Sequence, residues 1–242
     1  MSHLVIIPTY NERENVAAII SAVLNLEGTE VLIVDDGSPD GTGAIVKDLQ
    51  VNHSEKDRIH LIERAGKLGL GTAYVEGFKY GLANGYDFIN EMDADFSHNP
   101  EDLLRLRAAC DGGAGAAVGS RYIQGGGTVN WSRLRQFISQ GGSLYVRLFL
   151  SLNVKDPTAG FICYRSDVLR QINLDKVEFT GYGFQIEMKY IVHKLGHIVQ
   201  EEPIIFKDRE LGVSKMNISI ISEAINGVLK LRMRNVKSFY AK

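Results

Sequence analysis

Two carboxylates one residue apart, Asp93 and Asp95, close the apolar run that begins at Phe88-Ile89 and stop just short of Asn99-Pro100, a pair that suits a helix start. Carboxylates at a strand end can meet both a hard divalent cation and a diphosphate. Oxygen ligands suit Mg2+ or Mn2+, and Mg2+ commonly takes one or two carboxylates plus substrate phosphates rather than a complete protein cage. The same triplet also serves as a solvated turn or a cap, so its meaning depends on the loops around it. Asp36 ends another apolar run and precedes Gly37-Ser38-Pro39-Asp40-Gly41-Thr42, where its carboxylate could face a base or ribose lying against Pro8 and Tyr10. Asp35 and Asp40 fit the organisation of that turn and the cap of the next helix, with Asp35 the structural member of the pair.

The elements that must position these loops follow a repeating pattern. Leu4 to Ile7, Val31 to Val34, Ile59 to Ile62, Phe88 to Met92 and Gly115 to Gly119 read as strands, separated by helical spacing over Val16 to Leu24, Ala44 to Leu49, Ala73 to Leu82 and Leu103 to Ala109. This βαβα rhythm predicts an α/β fold with a mostly parallel central sheet, and in such sheets ligands bind beyond the carboxyl ends of the strands. The acidic loops fall there. Gly69-Leu70-Gly71-Thr72-Ala73-Tyr74 has Tyr74 where a dinucleotide fingerprint needs its third glycine, so a nicotinamide site is discounted, and Lys67 nearby could reach a phosphate. After Gly119 the rhythm breaks. Gly125-Gly126-Gly127 reads as a mobile loop, Leu134 to Leu152 and Phe179 to Leu195 as helices, Glu202 to Lys207 as one strand, and Ile218 to Met233 as a last helix.

Composition narrows the setting. The 242 residues are 45% hydrophobic with a net charge of -2, which fits one domain over residues 1–242 ending in an amphipathic basic helical segment over 216–242. Cys110 and Cys163 lie far apart without metal-ligand spacing and read as reduced core thiols, so a cytoplasmic setting is expected. Neither a signal peptide nor a transmembrane helix is expected, and nucleic acid is disfavoured as a partner. Residues 112–155 contain no Asp or Glu in 44 positions yet carry Arg121, Arg133, Arg135, Arg147 and Lys155. Such a stretch suits an anionic partner or a solvated basic face. Its apolar residues, among them Phe137, Ile138, Leu144, Leu148 and Phe149, fit either an interfacial helix on anionic lipid or a buried core helix.

Taken together, Pro8-Thr9-Tyr10-Asn11-Glu12, Asp35 to Thr42, Asp93-Ala94-Asp95-Phe96-Ser97-His98, Gly119-Ser120-Arg121-Tyr122 and Asp208 to Lys215 resemble the dolichol-phosphate mannose synthases, the polyprenol-monophosphomannose branch of the family 2 glycosyltransferases. The resemblance covers residue 4 to about 235. It implies a nucleotide-diphospho-sugar transferase domain of GT-A type, Rossmann-like, with GDP-mannose as donor and a polyprenyl monophosphate in a membrane, dolichyl or undecaprenyl, as acceptor. The implied substrate contacts are Pro8, Tyr10, Glu12, Val34 and Asp36 at the nucleoside and Asp93, Ala94 and Asp95 at the sugar and diphosphate. Asp95 and Ser97 would approach the cation, Mg2+ or Mn2+. Arg121, Arg209 and Lys215 would neutralise phosphate charge, making them with Asp95 the catalytic set, and Arg135 with Ser139 would receive the lipid phosphate. Residues 156–161 and 182–187 also resemble family blocks on the acceptor side, without a role that the residues themselves reveal.

Chemistry independent of the resemblance points the same way. The leaving nucleoside diphosphate gains charge as the glycosidic bond breaks, so cationic groups would stabilise the transition state more than the ground state. The acceptor phosphate, with a second pKa near ~6, is already largely ionised at neutral pH and needs positioning more than a general base. In-line displacement with inversion is expected; the resemblance, with its lipid acceptor, further implies an enzyme held peripherally on the cytoplasmic face of a membrane, alone or through a small membrane partner. The competing readings are a sister glucosyltransferase with a UDP-sugar donor and a non-catalytic nucleotide-sugar-binding subunit.

Overall fold

The computed structural model describes residues 1–181, 183–208 and 227–242. Its main sheet has seven strands in the order β3-β2-β1-β4-β7-β5-β8, formed by β1 (His3–Thr9), β2 (Thr29–Asp35), β3 (Ile59–Glu63), β4 (Phe88–Glu91), β5 (Ala116–Ser120), β7 (Ile162–Arg165) and β8 (Val199–Pro203). All run in one direction except β7, which is antiparallel to both β4 and β5. The carboxyl ends of β1, β2, β4, β5 and β8 therefore share one edge, and the register Thr9↔Asp35↔Glu63 brings the first loops level with one another.

Side-chain alternation divides the core into two layers. Val5, Ile7, Val31 and Ile33 pack against α1 (Val16–Leu24), α2 (Thr42–Asn52) and α4 (Leu103–Asp111). Leu4, Ile6, Leu32 and Val34 face the opposite way, toward α3 (Leu70–Ala83) and α7 (Gly183–Lys194), with α6 (Ser166–Leu169) on the same side. A central sheet buried on both faces explains why its strands read as near-continuous apolar runs. Cys110 and Cys163 are free thiols inside this core.

Three features differ from the sequence reading. β7 was not anticipated: it inserts between β4 and β5 and breaks the otherwise parallel order. Gly127 does not belong to a loop but opens β6 (Gly127–Val129), which pairs in parallel with β9 (Ile205–Lys207). The expected strand over Glu202 to Lys207 is split, because Ile204 leaves β8 to start this second ribbon; its amide donates to the Ser120 carbonyl at 3.0 Å. Of the expected last helix, residues 227–233 are helical and the preceding part lies outside the described residues. Val236–Tyr240 then forms a short terminal helix.

The acid-free stretch supplies α5 (Arg133–Leu150), whose start is capped by the Ser132 hydroxyl accepting from the Arg135 amide at 3.2 Å. Ser143, Val146 and Leu150 are its buried face. Leu134, Phe137, Ile138, Leu144 and Leu148 recur at helical spacing and are 47–77% exposed. The helix thus takes part of each reading: Val146 and Leu150 join the core, while Leu134, Phe137, Ile138, Leu144 and Leu148 face outward. Among the described residues no helix is long and apolar enough to cross a membrane.

Candidate active site

At the ends of β1 and β2 the two adjacent aspartates divide their work. Asp35, almost fully buried, accepts from the Thr9 hydroxyl at 2.8 Å, the Ser38 hydroxyl at 2.6 Å and the Ser38 amide at 2.9 Å, so it holds the turn as expected. Asp36 is also buried, and Arg64 Nε donates to its Oδ1 at 2.6 Å. A second Arg64 nitrogen pairs with the same oxygen, while Nη1 donates to the Thr72 hydroxyl at 2.7 Å. Arg64 was absent from the sequence reading; the available signal was a cation directly after a strand end. Asp40 accepts from the Thr42 amide and hydroxyl and from the Arg13 amide, and the Thr42 hydroxyl accepts from the Glu12 amide at 3.0 Å. These bonds fasten the Pro8 to Glu12 loop to the Asp36 loop. Lys67 Nζ lies 4.9 Å from the centre of the Tyr10 ring, whereas the Val34 side chain is wholly core.

Beyond β4 the burial alternates: Met92 and Ala94 are buried, and Asp93 and Asp95 are partly exposed on the other side. Period-two alternation thus delivers both carboxylates to one face. Phe96 takes a positive φ of 57° and turns the chain, letting the Ser97 amide donate back to Asp95 Oδ1 at 3.1 Å. Ser97 is buried, and its carbonyl accepts from the Lys207 amide at 3.1 Å, tying the carboxylate loop to β9. A cleft of about 360 Å3 lies here, lined by Asp95, Phe96, Ser97, Asn15, Lys207 and Asp208. His98 beside it is packed between Phe161 and Phe206, with centroids at 4.8 and 5.3 Å, and burial pushes its imidazole down to about 4. It is a neutral core ring.

The basic residues occupy the third side. Arg121 binds the fully buried Asp156 bidentately, Nε at 2.7 Å and one Nη at 2.6 Å, and its amide donates to the same carboxylate at 3.1 Å. Its guanidinium also lies 5.4 Å from the Trp131 ring. Arg135 stacks on Trp131 at 4.1 Å and donates to Asp208 at 2.6 Å. The Ser139 hydroxyl accepts from the Tyr122 hydroxyl at 2.6 Å. Arg209 and Lys215 lie outside the described residues. The remaining predicted residues converge on one edge: Pro8, Tyr10, Glu12 and Asp36 on one side, Asp93 to Ser97 in the middle, and Arg121, Arg135 and Ser139 on the other.

The donor set fits a hard cation. Asp93 and Asp95 offer carboxylate oxygens on one face, and among the described residues no third carboxylate, His or Cys joins them in a cluster. A cation held there would complete its shell with diphosphate oxygens and water, the usual habit of Mg2+. When bound, such a cation would screen the diphosphate and act as a Lewis acid toward its departure.

Known proteins resemble this chain over nearly its whole length. Residues 4–172 match the protein family described as Glycosyl transferase family 2. The chain is 47% identical over 232 residues to the polyprenol monophosphomannose synthase of Mycolicibacterium smegmatis, covering 96% of this chain and 87% of that one. It is 46% identical over 231 residues to the undecaprenyl-phosphate mannosyltransferase of Micrococcus luteus, covering 95% and 93%. A crystal structure of glucosyl-3-phosphoglycerate synthase from Mycobacterium tuberculosis with Mn2+, UDP-glucose and phosphoglyceric acid shares the fold, with a TM-score of 0.66 at 16% identity over 96% of this chain and 79% of that one. The fold is of the GT-A type, and the chain is a glycosyltransferase that belongs to glycosyl transferase family 2.

Proposed function

We infer that the protein transfers mannose from GDP-mannose to a polyprenyl monophosphate, using Mg2+ or Mn2+, and inverts the anomeric centre. The observation that carries this reading is the meeting of Asp93 and Asp95 with an arginine-bearing side whose helix exposes an apolar face, in a chain 46–47% identical to the two relatives named above. An ionised oxygen of the lipid phosphate attacks the mannose anomeric carbon. The bond from that carbon to the diphosphate oxygen breaks, giving β-mannosyl phosphate on the lipid and GDP. No general base is required, since the nucleophile is already anionic. Asp36, oriented by Arg64, and Tyr10 border the nucleoside; Arg121 and Arg135 flank the phosphates, with Arg209 and Lys215 as further phosphate ligands.

The acceptor's lipid tail calls for a surface able to rest on a bilayer. Exposed Leu134, Phe137, Ile138, Leu144 and Leu148, on a helix that carries Arg133 and Arg147 and no acid, have the composition of an interfacial helix. The proposed enzyme attaches peripherally to the cytoplasmic face of a membrane through this helix, by itself or beside a small membrane partner. Radiolabelled GDP-mannose and UDP-glucose, offered in parallel with polyprenyl phosphate and Mg2+ or Mn2+, test the reading: label from GDP-mannose should enter the organic phase. Label from UDP-glucose alone would make the enzyme the sister glucosyltransferase.

A further inference from the structure

The sequence singles out residues 156–161 and 182–187, and the transfer chemistry leaves them without a task; Asp156 and Ala159 of the first block and Gln185 of the second are joined in the core by a chain of polar groups. Lys189, midway along α7, has no solvent exposure. Its ammonium has three protons and three acceptors: the Ala159 carbonyl at 2.6 Å, the Gln185 carbonyl at 3.1 Å and Gln185 Oε1 at 3.5 Å. Gln185 Nε2 donates in turn to Oε2 of Glu91 at 2.5 Å. Glu91 is the last residue of β4, fully buried and two positions before Asp93. At the other end of the chain, the Ala159 amide donates to the Asp156 carbonyl at 3.3 Å, and the Asp156 carboxylate holds Arg121. Thr158 accepts from Arg121 at 3.0 Å.

Ionisable groups in a core are strongly disfavoured unless paired, and an apolar set of the same volume would often pack as well or better. Burial pushes the Lys189 ammonium down to about 8 and the Glu91 carboxyl up to about 8. What an apolar replacement could not do is grip a main-chain carbonyl. Lys189 does so at Ala159, while Gln185 relays to the strand that ends in the paired carboxylates. We propose that Glu91, Gln185 and Lys189 are positioning residues for sugar transfer: they pin the 156–160 turn, and through Asp156 the Arg121 guanidinium, at a fixed spacing from Asp93 and Asp95. This role rests on the glycosyl-transfer reading of the site, where a displacement of about 1 Å can lower the rate about a hundredfold.

The test compares the full chain with Lys189→Met by hydrogen–deuterium exchange and by steady-state transfer kinetics. Expected are amide exchange over 156–161 at least about tenfold faster with β1 and β2 unchanged, and kcat lowered about 10- to 100-fold with the donor KM within about threefold. Glu91→Leu should reproduce this pattern, and Glu91→Gln, which still accepts from Gln185, should recover most of kcat. Tyr86→Phe removes a hydroxyl bonded to Glu30 before β4 begins; it should lower the melting temperature and move neither readout. If Lys189→Met does not fold, Gln185→Met severs the same relay and should give the same local result. Unchanged exchange over 156–161 in the folded variants, or kcat within about twofold of wild type, overturns the proposal. A wild type that glycosylates no lipid phosphate overturns the functional reading instead, and exchange over 156–161 then decides the positioning by itself.

Discussion

Asp156 has no solvent exposure at its side chain, so removing Arg121 leaves a buried charge without its cation. Breaking a buried pair in this way costs about 3–5 kcal/mol. Arg121→Ala should therefore lose stability together with activity, and denaturant unfolding will show it; a variant of wild-type stability would mean that the pair is not structural. His98 offers a second check at this scale. Its folded pKa is depressed to about 4 against 6.5 for the free side chain. The unfolded chain therefore binds a proton first on acidification, and the stability present above pH 6.5 is lost progressively as pH falls toward 4. His98→Gln should flatten that acid limb in melts between pH 7 and pH 4.5; an unchanged limb would place the acid sensitivity elsewhere. Asp36, Asp93 and Asp95 were legible as polar residues at the ends of apolar runs. Arg64, Asp156 and Lys189 were not, because their significance comes from burial against distant partners, and no local spacing records that.

At the scale of elements, α5 carries the most consequential exposed surface. Burying one Leu or Phe side chain is worth roughly 1.5–3 kcal/mol, about a 10- to 100-fold change in partition. Phe137→Glu or Leu148→Glu should each weaken binding to anionic vesicles by at least about tenfold in sedimentation, and equal binding would remove α5 from the membrane face. Packing of α3 makes a different demand. A Cβ at Gly71 would stand 2.4 Å from the Phe179 carbonyl oxygen and 2.9 Å from Phe184, and the Gly71 amide donates to Thr180 at 2.8 Å. Gly71→Ala should lower the melting temperature and loosen the 179–184 segment, visible as faster amide exchange there. The parallel strands and their helices were readable because their periods differ and alternate regularly. β7 was hidden, since a four-residue run with no turn signature does not announce that it will insert between β4 and β5. The β6–β9 ribbon was hidden because its two three-residue strands lie about 75 residues apart in sequence.

For the molecule as a whole, a net charge of -2 says little, while the distribution says a good deal. One sheet edge gathers carboxylates at the ends of β2 and β4, and the acid-free stretch supplies Arg121, Arg135 and the exposed apolar residues of α5. Glu91 adds a global signature. Its folded pKa is raised to about 8 from 4.5 by burial, so the stability it contributes is present below pH 4.5 and declines as pH rises toward 8. Glu91→Gln should narrow that decline in unfolding experiments between pH 5 and pH 8, whereas an identical slope would mean that Glu91 is already ionised in the fold. The proposed mannosyl transfer takes place at the Asp93–Asp95 face. Its most direct test is the product formed from GDP-mannose and polyprenyl phosphate by wild type and by Asp95→Ala, read by NMR at the anomeric carbon. Wild type should give a β-mannosyl phosphate, abolished by EDTA and reduced at least about a hundredfold in Asp95→Ala; an α-linked product, or one that Asp95→Ala makes at the wild-type rate, would refute transfer by inversion at this face.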